Sequence, residues 1–189
     1  MKTITTFILL TSFFHLTAQT VEVEKLKSAF FDLQEKNNQT NQQRYFDLFP
    51  NSFEKFEQVF GFEKGKKAPL YDNSIEYIRT LFALDSISQS SQITKWIDIS
   101  IGGHWDADAV NYFQHFLRTR TLKNVDLTYK LLKDRPDKEV ESFFYFFFNE
   151  IHPQFETIPK EFEMLKNRDK AFYNLLEKGH HQAIEDSGH

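Results

Sequence analysis

The densest group of side chains that could do chemistry lies in the segment from Gly102 to Asp108. It places the imidazole of His104 close in sequence to the carboxylates of Asp106 and Asp108, and His115 follows seven positions after Asp108. Seven positions are about two helical turns, so a helix that begins here puts Asp108 and His115 on one face. Imidazole nitrogens and carboxylate oxygens bind divalent metals, and a carboxylate can also orient an imidazole as a general base.

Two interpretations of these four residues are open. In the first, His104, Asp106, Asp108 and His115 form the centre of a metal-dependent hydrolase, and a divalent metal is the cofactor. In the second, the two Asp residues start a helix, Trp105 packs beside them, and His115 is a partly buried polar tip. We favour the second interpretation, which predicts no cofactor, because Asp is common at helix N-termini without any metal.

Common catalytic patterns are absent from the sequence. It contains no Gly-x-Ser-x-Gly, no His-Glu-x-x-His and no glycine-rich phosphate loop. It also contains no cysteine, which excludes thiol chemistry and cysteine-ligated zinc. The sequence therefore favours a protein that is not an enzyme, although it does not exclude enzymatic activity.

Aromatic residues offer a different kind of site. The chain uses Phe 22 times, more than one core of this size needs, and aromatic side chains concentrate at the centres of protein interfaces. The alternative is that all of them pack inward. The candidate binding surface consists of Tyr45, Phe49, Phe62, Tyr71 and Trp105.

Short amphipathic helices are predicted to position these residues. Apolar side chains recur at spacings of three and four along most of the chain, and six Gly are few for the tight turns of a β-protein. A helix is predicted to end at Gly102 and Gly103, and another at Gly179. The aromatic run Phe143 to Phe148 indicates a helix buried on several sides or a strand deep in a core.

The predicted fold is therefore all-α. We expect a single compact, irregular helical bundle of about eight or nine short helices over residues 19–179. Residues 180–189, with His180, His181 and His189, are predicted to form a flexible polar tail.

The first residues are typical of a secretory signal peptide. Lys2 is followed by the short apolar stretch Phe7 to Leu16, and the small residue Ala18 fits a cleavage site before Gln19. This predicts removal of residues 1–18 and export to the periplasm or the extracellular space. The apolar stretch is too short to span a bilayer, so no integral membrane span is expected after cleavage.

The charge balance bears on the partner. The chain has 23 basic and 27 acidic residues and a net charge of -4, so it offers no excess of positive charge to neutralise nucleic acid. Another protein is the expected partner, and the oligomeric state is left open.

Several short strings are similar to a group of bacterial proteins. Through Phe49-Pro50-Asn51-Ser52-Phe53, Pro69-Leu70-Tyr71 and Trp105-Asp106-Ala107-Asp108-Ala109-Val110, the chain resembles small exported helical proteins of Bacteroidota, most of which have no assigned function. Some such proteins are immunity proteins that bind a toxin from a neighbouring cell. The resemblance implies a non-enzymatic protein of the binding, immunity or inhibitor type, and it implies no catalytic residues.

Overall fold

The structure is a computed structural model that describes residues 21–151 and 154–187. Within these residues the chain is mostly helical, with ten α-helices and one two-stranded sheet, so the all-α prediction is confirmed and the helix count is ten rather than eight or nine. The predicted signal peptide, residues 1–18, lies outside the described residues, as does His189. The chain divides after Phe49 into an N-terminal unit and a C-terminal unit.

Two helices make up the described part of the N-terminal unit. They are α1, residues 21–35, and α2, Gln39–Leu48. Asn38 caps α2 by accepting a hydrogen bond from the Asn41 backbone N–H at 3.0 Å. The Asn41 side chain in turn donates to the carbonyls of Asp32 and Lys36 at 3.0 and 2.9 Å, which satisfies the end of α1.

The C-terminal unit contains the other eight helices and the sheet of the described chain. The helices are α3 (Phe53–Phe60), α4 (Ser74–Ala83), α5 (Gln89–Ser100), α6 (Ala109–Lys123), α7 (Val125–Leu132), α8 (Asp137–Phe148), α9 (Glu163–Arg168) and α10 (Lys170–Ser187). The strands β1 (Phe62–Glu63) and β2 (Lys66–Lys67) form an antiparallel hairpin, and short 3₁₀ turns cover Tyr71–Asn73 and Lys160–Phe162.

Helix α8 is the centre of the C-terminal unit, and it carries the aromatic run that the sequence left between helix and strand. Phe143, Phe144, Phe146, Phe147 and Phe148 are all at most 2% exposed. Edge-on ring contacts join them to neighbouring elements, as aromatic quadrupoles prefer. A helix that is apolar on nearly every side is buried by elements on several sides, which explains why this run has no amphipathic period.

Helix α10 packs against α8 at very short distance, and Gly179 makes this possible. A Cβ atom on Gly179 would lie 2.6 Å from the Glu141 carbonyl oxygen and 2.8 Å from both Phe144 Cβ and the Tyr145 backbone nitrogen. The predicted helix end at Gly179 is therefore wrong, because this glycine permits close contact between helices. Residues 180–187, predicted as part of a flexible polar tail, are the last turns of α10.

Side chains from α6 satisfy the buried C-terminal end of α8. The Gln114 side-chain amide donates to the carbonyls of Phe146 and Asn149 at 2.7 and 2.9 Å. Arg118 Nε donates to the Phe147 carbonyl at 2.7 Å, and Arg118 also forms an ion pair with Glu150. These last carbonyls have no partner within the helix, so burying them requires donors from a neighbouring element.

Candidate functional site

The loop between α5 and α6, residues 101–108, holds four of the nine predicted site residues, and we call it the Trp105 loop. It begins as the sequence predicts: α5 ends at Ser100, and Gly102 follows at a φ of 76°. A Cβ on the next residue, Gly103, would lie 2.6 Å from a ring carbon of Phe146 and 2.9 Å from one of Phe53. Only glycine lets the loop lie this close to the aromatic core.

The side chains of Ser142 on α8 and of Asn149, the residue that follows α8, hold the Trp105 loop in place. The Gly102 backbone N–H donates to Ser142 Oγ at 2.7 Å, and the Trp105 backbone N–H donates to Asn149 Oδ1 at 2.6 Å. The loop is thus bonded at two points along the buried helix, which fixes the direction of the side chains between them.

Asp108 starts α6 in an unusual backbone conformation. Its φ is 56° and its ψ is -111°, a combination that glycine adopts most readily. Asp108 occupies the N-cap position without a side-chain capping bond, whereas Asp106 Oδ1 accepts from the Ala107 N–H at 2.8 Å. The Asp108 carboxylate instead accepts a hydrogen bond from the Tyr71 hydroxyl. Asp108 therefore joins the start of α6 to the turn before α4.

The hairpin presents an exposed aromatic residue next to Tyr71. Phe62 is 49% exposed, and its ring centroid lies 5.6 Å from that of Tyr71; we call these two residues the aromatic pair. Lys67 Nζ lies 5.2 Å from the centroid of the Tyr71 ring and also pairs with Asp72. Tyr71 is therefore held on one side by Asp108 and on the other by Lys67.

The Tyr71 hydroxyl is a hydrogen-bond donor over the whole physiological pH range. Its bond to Asp108, followed by burial and the charge of nearby carboxylates, raises the pKa of Tyr71 to about 12. Ionised Tyr71 would lose this bond and repel Asp108, so the protonated form is favoured. This arrangement fixes the orientation of the Tyr71 ring and does not activate a nucleophile.

His104 lies beside a carboxylate that the sequence analysis missed. His104 Nε2 is 3.7 Å from Glu57 Oε1 on α3, and the imidazole ring contacts Phe53 edge-on at 5.0 Å. Burial raises the pKa of Glu57; His104 opposes this rise and Asp106 adds to it. Among the described residues, no hydroxyl bonds to His104, so the pair lacks the nucleophile that a general base would activate.

The structure gives the metal interpretation no support. His115 lies exposed on α6 and contacts Phe116, at a ring distance of 5.7 Å. Within residues 21–151 and 154–187, no three His, Asp or Glu side chains come together as metal ligands would. The alternative in which His104, Asp106, Asp108 and His115 form one metal centre therefore finds no support among the described residues. Asp106 and Asp108 serve the local loop and helix start instead.

The five predicted surface aromatics divide into two groups. Tyr45 and Phe49 are 0% and 2% exposed, so their assignment to a binding surface is wrong and they belong to the core. Phe62 is half exposed, while Tyr71 and Trp105 are partly exposed. The candidate surface is therefore the aromatic pair together with the Trp105 loop.

A cavity of about 580 Å³ opens beside Trp105. We call it the Trp105 cavity, and its walls come from the Trp105 loop, the end of α8 and the last turn of α10. It is lined by His104, Trp105, Tyr145, Asn149, Glu150, Ile151, Asp186 and Ser187.

Sequence reasoning found only part of this cavity, and one signal could have revealed more. Asn149 and Glu150 directly follow the aromatic run, where the sequence pattern by itself indicates only a helix end with free carbonyls. In the described residues Gln114 and Arg118 bind those carbonyls, and His152 lies outside the described residues. The apolar positions after Gly179, such as Ala183, were the signal that α10 continues and brings Asp186 to the cavity.

Comparison with known proteins adds no relative to this description. No protein-family model matches the sequence, and no curated protein or solved structure matches it significantly. Among the described residues, no helix combines the length and apolar character needed to cross a bilayer.

Proposed function

We propose that this chain is an exported protein of the immunity or inhibitor type, which binds another protein through the aromatic pair and the adjoining Trp105 loop. The observation that carries the proposal is the half-exposed ring of Phe62 packed against Tyr71. An exposed apolar ring on a two-residue strand contributes little to the core, whereas it can become fully buried against a partner.

The surroundings of the aromatic pair support a binding role. Lys64 and Gly65 both have positive φ values, 51° and 76°, which form the tight turn of a hairpin and fix the direction of Phe62. Tyr71 is held by Asp108 and Lys67. Side chains that are ordered before binding lose little entropy on association, so they make effective contact residues.

Charges of both signs surround the aromatic pair. Lys67 pairs with Asp72 and Lys64 with Glu63, and the carboxylate of Asp106 lies near Glu57. An apolar centre with a charged rim is the usual composition of a specific protein interface. Among the described residues, this surface has no group of His, Asp and Glu side chains that could hold a metal ion for hydrolysis.

The test is site-specific crosslinking followed by affinity measurement with the captured protein. A photo-reactive amino acid at position 62 should capture one defined partner from the native envelope or culture medium. Phe62→Ala should then weaken binding of that purified partner by about 30-fold, because an interface-centre aromatic contributes about 2 kcal/mol.

The matched control is Phe31→Ala. Phe31 is 61% exposed on α1, in the other unit, so the control removes an equally exposed ring outside the proposed surface. We expect this variant to bind like the wild type. Equal losses at positions 62 and 31, or crosslinks at position 31 to the same protein, would refute the proposal.

A further inference from the structure

The Trp105 cavity has the chemistry to bind a positively charged side chain. The carboxylates of Glu150 and Asp186 both line it. Glu150 forms an ion pair with the buried Arg118, which neutralises its charge. Asp186 lies exposed at the end of α10. Burial, followed by a hydrogen bond from the Tyr145 hydroxyl to Asp186 and by the charge of that carboxylate, raises the pKa of Tyr145 to about 12, so Tyr145 remains neutral and donates to Asp186.

Aromatic surface at the cavity adds to this preference. Trp105 and Tyr145 both line the cavity and are partly exposed. The face of an indole or phenol ring attracts a cation, and the planar guanidinium group of arginine also stacks on such a ring. A cation in the cavity would therefore meet the Asp186 carboxylate and π-surface, whereas both oxygens of Glu150 are already bonded, one to Arg118 and one to the Gln154 N–H.

A buried amide provides a second, independent indication of a ligand. Asn149 lines the cavity and is only 7% exposed. Its Oδ1 accepts from the Trp105 N–H, which fixes the side-chain orientation, and no described residue accepts a hydrogen bond from its Nδ2. Nδ2 keeps contact with solvent at the cavity, so a backbone carbonyl of a bound peptide can reach it and accept its hydrogen bond.

We infer that the Trp105 cavity receives a basic side chain, best an arginine, from the partner protein. The guanidinium group lies between Asp186 and the ring of Trp105, and the backbone carbonyl of the same residue accepts from Asn149 Nδ2. This inference rests on the proposed function, because it specifies the chemistry of the partner that the aromatic pair also contacts.

N-acetyl-arginine amide is the probe, since it carries both the guanidinium group and the backbone carbonyl. In a titration followed by ¹H–¹⁵N NMR, it should shift the Trp105 indole N–H and the Asn149 side-chain amide to saturation. The indole of Trp96, which is 3% exposed, serves as the internal reference and should not shift. N-acetyl-citrulline amide has nearly the same shape without the charge and should bind more weakly.

The matched variants are Asp186→Asn and Glu185→Gln. Both neutralise one exposed carboxylate in the last turn of α10, but Glu185 does not line the cavity and faces His181 at 3.4 Å. Asp186→Asn should weaken arginine-amide binding by about five-fold, the upper range for a partly exposed ion pair, and Glu185→Gln should leave it unchanged. Equal binding of the citrulline and arginine probes, equal effects of the two variants, or shifts that do not saturate would overturn the inference.

The two proposals can fail separately. A partner captured through Phe62 whose affinity does not change with Asp186→Asn would overturn the arginine inference and leave the proposed function intact. Saturating binding of the arginine probe, together with no partner that depends on Phe62, would overturn the proposed function and keep the cavity as a site for a basic group.

Discussion

Replacing Gly179 with alanine tests the contact between α8 and α10 directly. The added Cβ would lie 2.6 to 2.8 Å from the Glu141 carbonyl oxygen, Phe144 Cβ and the Tyr145 backbone nitrogen. These atoms belong to the backbone or lie next to it, so a change of side-chain rotamer cannot make room. The two helices must move apart along a buried contact.

Two opposing effects determine the size of the change. Overpacking a core typically costs about 1–3 kcal/mol, and contacts with backbone on the facing helix place Gly179→Ala at the upper end. Alanine is favoured over glycine within a helix by about 1 kcal/mol, which offsets part of this cost. The net expectation is a loss of about 2 kcal/mol in the free energy of unfolding, or about 4–8 °C in Tm.

Urea denaturation followed by circular dichroism measures this difference, with Gln182→Ala as the control. Gln182 is exposed on the same helix, so its replacement should change the free energy of unfolding by less than about 0.5 kcal/mol. A Gly179→Ala variant as stable as the wild type, or more stable, would refute the close contact. It would show that helix propensity determines the effect of this substitution on the free energy of unfolding, and that α10 does not lie as close to α8 as described.

Four further predictions concern the start of α6, the Tyr71 hydroxyl, the buried ion pair and the N-terminus. Asp108→Gly should be more stable than Asp108→Ala by about 1–3 kcal/mol in urea denaturation, because both lose the Tyr71 bond and only alanine keeps the backbone strain. Tyr71 should titrate with a pKa of about 12 in its 295 nm absorbance; since this value is raised, its contribution to stability is present below pH 10 and is lost as pH rises towards 12. Glu150→Gln should cost about 3 kcal/mol in the same denaturation assay, because it leaves the buried Arg118 without a counter-charge. Mass spectrometry of the protein exported by its native host should find a chain that begins at Gln19, and a retained Met1 would contradict the predicted cleavage.

Much of the fold follows from local patterns in the sequence. The helix end at Gly102 was predictable because a left-handed residue is the common way to end a helix, and the structure has it there. The run 37–43 is polar throughout and by itself indicates a loop or a frayed helix end, yet α2 begins at Gln39, because Asn38 caps it and Tyr45 and Phe46 are buried. Tertiary burial outweighed a weak local preference there.

The site was harder to predict because distant residues complete it. The bond from Tyr71 to Asp108 joins residues 37 positions apart, and no periodicity indicates such a partner. The small number of glycines argued against tight turns. The turn at Lys64 and Gly65 was therefore not predicted. Burial distinguishes Phe49 from Phe62, and it depends on which neighbours the fold supplies, so sequence alone gave both the same assignment.

The contact between α10 and α8 also has a consequence for how the protein is made. During synthesis, the residues of α8 are made before residues 170–187, so the rings of Phe144 and Phe148 await contacts from Phe172 and His180, at 5.8 and 4.7 Å in the folded chain. A unit whose central apolar helix is covered by the last helix of the described chain cannot complete its core until that helix has been released from the ribosome. Until α10 packs, the side of α8 that it covers is exposed hydrophobic surface, open to chaperones and to other nascent chains.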